Sequence, residues 1–355
     1  MILRHLTFFY PTSLITLLDN SSQIRRERKV RTMNLVTHSL VMGVILPIVA
    51  GVVTLGLPLL LRRNSAGTEA SSTYTQDPLE WLGGLGLALG YAAGYVGLLG
   101  FPKWDDTSSQ VWLLWLLPAA VLLGVLDTAL KIPRALVWLG RAAMFGVMYY
   151  MMFRTQVEEE IWTRNQLLLY VAIMAAIALV VWGLWEGIGE NVSEATLGWL
   201  AMGLSLLTSF VLVLSGSAKF GQMMGVMISV LGVWWVLSWF AAFQKISARF
   251  VRGILPVFVM LYMGYCLNGF FYTDMTKLTA AMLLIAPVLL WLGSKLHTPE
   301  KTWQKVLYYT ALAAAPVLVA LGVLGYKELN KPKEPKGMYG STVEIKQSPW
   351  VKRKS

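Results

Sequence analysis

The chain has 355 residues, of which 56% are hydrophobic and only 14% charged, and its formal net charge is +11. Soluble domains carry about a quarter charged residues, so this balance, with a mean hydropathy of +0.58, excludes a conventional soluble enzyme and fits a chain surrounded mostly by lipid. A single cysteine, Cys266, excludes an internal disulfide and a multi-cysteine zinc or iron–sulfur site.

The basic residues gather at the ends: six of the 30 lie in residues 1–34 and eight in 326–355. Anionic lipid headgroups, rather than nucleic acid, are the expected partner of that charge. Residues 1–34 read as a basic N-terminal arm, in which the apolar stretch Leu6 to Leu18 is short, is broken by Pro11 and precedes the basic run Arg25, Arg26, Arg28, Lys29 and Arg31. A secretory signal has the reverse order. Two readings stay open: an arm lying on the membrane surface, or an over-extended start with Met33 as the first residue.

Residues 35–325 predict a transmembrane bundle of ten helices, near 35–61, 81–101, 111–130, 135–153, 166–185, 195–215, 222–243, 254–273, 278–296 and 305–325. At about 1.5 Å per residue most of them just cross a hydrocarbon layer of about 30 Å. Only an unbroken helical ladder satisfies the peptide groups of an open chain there. The fold class is therefore all-α, a polytopic integral membrane helix bundle. Short connections such as Lys131–Arg134 and Asp274–Lys277 make successive helices antiparallel neighbours.

The second predicted helix carries a glycine ladder, Gly86, Gly90 and Gly94, a face on which another helix can come close. It suits a pivot, a seam between two molecules (homo- or hetero-oligomer) or ordinary packing inside the bundle. Nucleotide binding is excluded, because Gly84, Gly86 and Gly90 miss the G-x-G-x-x-G spacing and no strand precedes them.

Charge inside the hydrocarbon is costly, at about 2.5–3.5 kcal/mol per residue on insertion scales. Asp127, near the end of the third helix, and Arg141, two turns into the fourth, lie at similar depth across a tight turn. They form a reachable ion pair, either on a substrate path or as a structural tie; Asp127 can instead bond Lys131. After the fifth helix Glu186, Glu190 and Glu194 recur every four residues, but Gly187 and Gly189 weaken a helix there, and a solvated loop is the expectation. The eighth helix is the most polar. Tyr262, Tyr265 and Tyr272 share a face with Asn268 nearby, which predicts a bundle-facing stripe that lines a substrate path or ties helices together.

Chemical templates are missing: there is no H-E-x-x-H, G-x-S-x-G or Walker A lysine. The methionine stripe Met144, Met148 and Met151 has no Cys or His beside it, and His38 and His297 are isolated. No catalytic residue, metal or cofactor is expected. The ten helices divide at 186–194 into possible halves, 35–185 and 195–325, an arrangement that suits an inverted repeat.

With ten spans both tails share one side, which totals 19 basic residues against 10 opposite, while loops alone reverse the bias, 5 against 10. The dense tail, residues 326–355, places that side in the cytoplasm. Its lysines and Pro332, Pro335 and Pro349 predict disorder in water. Two functions fit: a small-molecule permease or carrier, and a non-catalytic membrane scaffold or accessory subunit.

Overall fold

The computed structural model describes residues 37–56, 59–60, 80–103, 106, 108–130, 132–243, 250–296, 299 and 301–330. Among the described residues there is no strand, and ten helices are long and apolar enough to cross a membrane. They are α1 (Thr37–Gly56), α2 (Leu82–Leu99), α3 (Ser109–Thr128), α4 (Arg134–Glu158), α5 (Arg164–Gly189), α6 (Glu194–Leu214), α7 (Ala218–Phe243), α8 (Val251–Tyr272), α9 (Lys277–Leu296) and α10 (Thr302–Leu329). The predicted arm 1–34 and tail residues 331–355 lie outside the described residues. Residues 326–329, expected in the tail, continue α10 instead.

Local chemistry sets several boundaries. Thr163 caps α5 with its side chain accepting from the Gln166 amide, and Gln166 reaches back to the Thr163 amide at 2.9 Å, a reciprocal capping box. The Ser193 hydroxyl caps α6 by accepting from the Thr196 amide, and the Ser217 hydroxyl accepts from the Phe220 amide at the start of α7. In α3 the ladder tightens to a turn at Leu116, two residues before Pro118, whose ring nitrogen has no hydrogen to donate. In α1, five-residue π-helical turns at Val41–Ile45 and Val52–Gly56 flank the segment containing Pro47.

At the centre stands α8. Of its most apolar 18 residues 83% are buried, against at most 50% in any other spanning helix. It packs against α2, α3 and α5 of the first five helices and, less extensively, against α6, α7 and α9. The two possible halves therefore interpenetrate. Outside this core α1 lies on α2 and α7, α4 on α3 and α5, and α10 on α6 and α9. The pairing of α8 with α3 is antiparallel and reads off three levels: Asn268 against Ser109, Gly264 against Leu113, and Gly253 against Gly124.

The glycine ladder of α2 is taken up inside the chain. A Cβ on Gly86 would come within 2.7 Å of Leu55, one on Gly90 within 2.5 Å of Val230, and one on Gly94 within 2.7 Å of Pro47. All three glycines are buried against α1 and α7, which leaves their face no room for a second molecule. Gly253, at the start of α8, lets the backbones of Glu80 and Trp81 come equally close.

Candidate functional site

The predicted path residues do not form one site. The antiparallel register of α3 and α8 puts Asp127 and Arg141 at one end of the bundle and Asn268 and Tyr272 at the other. The end where α1 begins and α10 finishes is here the terminal face, and the opposite end the far face.

At the terminal face a cleft of about 470 Å³ opens between the end of α2, the 100–106 segment and the start of α7. Its lining includes Tyr95, Phe101, Lys103, Asp106 and Lys219, so both signs of charge border it. The Ser108 amide donates to Asp106 at 2.8 Å, and this bond, with Lys219 and Lys103 nearby, holds the Asp106 carboxyl below its usual range.

A buried polar seam continues inward from the cleft. Tyr95 lies one turn from Tyr91 on α2, with ring centroids 6.3 Å apart, and the Tyr91 hydroxyl hydrogen-bonds that of Tyr265 on α8. Beside them Ser109 donates its hydroxyl to the Asn268 side-chain carbonyl. Asn268 is fully buried, yet its Nδ2 has no partner, and neither has Oε1 of the neighbouring Gln110.

The tyrosine stripe of α8 splays rather than lining one groove. Tyr265 reaches α2, Tyr262 donates to the Leu283 carbonyl of α9 at 2.9 Å, and Tyr272 donates to the Met152 carbonyl of α4 at 2.9 Å. Three residues advance an α-helix about 300°, which leaves the first two about 60° apart. On a helix enclosed from all sides, long phenol arms then meet different neighbours.

At the far face the predicted pair is a larger cluster. Arg141 is 2% exposed, and its Nη2 lies 3.0 Å from Asp127 Oδ2 and 2.5 Å from Glu186 Oε1. The guanidinium packs on the indoles of Trp138 and Trp182, 4.7 and 4.4 Å from their centroids, and Trp182 Nε1 donates to Glu186 at 3.0 Å. Nε and Nη1 of Arg141 have no partner. The loop reading of Glu186 is thereby corrected: α5 runs on to Gly189, because burying Trp185 and Ile188 outweighs the weak helix preference of Gly187 and Gly189. Glu190 is exposed, and Glu194 belongs to α6, so the three glutamates part company.

Beside this cluster the N-terminus of α8 is held by carboxylates from elsewhere. Glu194 accepts from the amides of Phe250 and Val251 at 2.7 and 3.3 Å, and Glu80 from that of Arg252 at 3.3 Å. Orphan amides and the positive end of the helix dipole both favour an anion there. Sequence reasoning missed Glu80, Trp182, Tyr91 and Ser109, and it read Glu194, like Glu186, as part of a solvated loop. Only Glu186 left a trace, four residues after Trp182 on one helical face.

These features define a multi-pass helical membrane protein with a polar cleft at one end and a buried charge cluster at the other. No family model matches the chain, and no curated protein matches it in sequence.

Proposed function

We propose that the protein is a small-molecule carrier that takes a polar solute from the terminal face. The observation that carries this reading is a pair of buried, unpartnered groups, Asn268 Nδ2 and Gln110 Oε1, beside a seam that leads in from an open polar cleft. Each unsatisfied buried polar group costs about 1–3 kcal/mol, and a bundle that only needs to be filled gains nothing from them. A solute with a carbonyl and a hydrogen-bond donor would complete both. At the far face the Arg141 cluster and the anchored start of α8 hold the helices together, as one state of an alternating-access carrier requires. The dense basic tail supports a cytoplasmic terminal face.

The second reading, a scaffold or accessory subunit, draws on the close packing around α8 and on the apolar face that α1 leaves exposed at Leu40, Val44, Ile48 and Val52. Cysteine accessibility separates the two. In a Cys266→Ser background, single cysteines at Phe101, Tyr95 and Asn268 are probed with a membrane-impermeant thiol reagent applied to each side of sealed vesicles. A carrier labels at Asn268 from the side that labels the exposed Phe101 position. Labelling at Phe101 alone would leave the scaffold.

A further inference from the structure

We propose that Asp127, Arg141 and Glu186 form a proton-binding site in which the two carboxylates hold one proton between them. Both carboxylates contact the same nitrogen of Arg141, at 3.0 and 2.5 Å, so they are near neighbours of each other. A single guanidinium faces two acids. With both acids mostly buried, a second negative charge beside the first is disfavoured, and a shared proton removes it.

The surroundings supply no further buried cation among the described residues. Arg252 of α8 acts on Asp127 electrostatically, but it is exposed, as are Arg134 of α4, Glu190 of α5 and Lys295 of α9. Glu80 and Glu194 engage the amides at the start of α8. Arg62, Arg63, Lys131, Lys245 and Arg249 lie outside the described residues. Trp138 and Trp182 fix the guanidinium in place, and the Trp182 indole N–H gives Glu186 a neutral donor that leaves the charge count unchanged.

Access is built in. The side chains of Asp127 and Glu186 are 23% and 18% exposed, against 3% for Arg141, so the acids touch water at the far face while the cation does not. The proton comes from hydronium in that water and returns to it as hydronium; no bond other than the carboxyl O–H forms or breaks. Its loss leaves two like charges, one on α3 and one on α5, beside the single guanidinium of α4. In a carrier this ties opening of the far face to proton release, a use that rests on the reading above, whereas the bound proton does not.

Infrared difference spectroscopy of the full chain in lipid vesicles tests the site, with pH as the variable and the carbonyl stretch of protonated carboxyls as the signal. Wild type should show a titrating carboxyl band at this cluster. Asp127→Asn and Glu186→Gln should each abolish the same component, about one carboxyl per chain, because either substitution leaves Arg141 a single neutralising partner. Glu194→Gln, which makes no contact with Arg141 and instead holds the start of α8, should leave that component in place. A wild-type spectrum without a titrating carboxyl, or a component lost in only one or neither of the two cluster variants, would overturn the proposal. A shared proton without labelling at Asn268 would mean a protonatable scaffold, and labelling without the proton an uncoupled carrier.

Discussion

Arg141 on α4 and Glu186 on α5 meet at 2.5 Å inside the bundle, with the arginine almost entirely out of water and two of its donor nitrogens unpartnered. Removing one member of a buried ion pair costs about 3–5 kcal/mol, because the others stay behind without compensation. Arg141→Gln, which leaves Asp127 and Glu186 without their shared cation, should therefore lower thermal stability by about that amount. Replacing all three side chains together, Asp127→Asn with Arg141→Met and Glu186→Gln, should restore most of it. Cys266 is free and buried in α8, so a thiol-reactive dye that fluoresces on reaction reports the unfolding directly. Equal melting of Arg141→Gln and wild type would mean that the cluster is wet.

The hydroxyls of Tyr91 and Tyr265 are each other's partners in a fully buried setting. Tyr91→Phe or Tyr265→Phe alone leaves one hydroxyl unsatisfied, at a cost of about 1–3 kcal/mol. The double Phe variant should cost less than the sum of the two singles, giving a favourable coupling in a double-mutant cycle. Additive losses would show that the two hydroxyls do not depend on each other.

Along α2, Gly94 faces Val226 and Pro47 too closely for a methyl group. Gly94→Ala should lose about 1–3 kcal/mol through overpacking. Gly146, inside α4, has no atom within 4 Å of a Cβ placed on it, and Gly146→Ala should gain about 0.4–1 kcal/mol. Melting both variants side by side checks the contrast, and a tolerated Gly94→Ala would refute the close approach of α2 to α7.

At the rim of the cleft, Asp106 has a folded-state pKa lowered chiefly by the Ser108 amide. A depressed carboxyl adds stability at pH values above its unfolded pKa, about 3.9, and loses that contribution as pH falls through the lower folded value. The Ser108 amide should thus stay protected from hydrogen exchange across neutral and mildly acidic pH, after correction for intrinsic rates. Asp106→Asn should weaken that protection at neutral pH, where the charge is otherwise present. Undiminished protection in the variant would remove the carboxylate from the account.

Much of the fold was legible because lipid leaves a chain few choices. A stretch such as residues 166–185, apolar for about 20 residues, satisfies its peptide groups only as a helix, and its length then follows from membrane thickness. Polar side chains on the eighth apolar segment pointed to the interior for the same reason, and α8 is the most buried helix. The errors fell where local preference met tertiary packing. Gly187 and Gly189 argued for a loop, yet Trp185 and Ile188 are buried at the end of a continuous α5.

By itself, then, the sequence determined that the chain is a ten-helix membrane bundle and which residues would be costly to expose to lipid. Tertiary structure alone decided their partners. Arg141 meets Glu186 45 positions away, Tyr91 meets Tyr265, and Glu80 and Glu194 share the start of α8, because the choice among helix neighbours rests on the shapes of whole faces. Period and hydropathy show that a face must be buried; the packing of the helices against α8 and against one another settles against what.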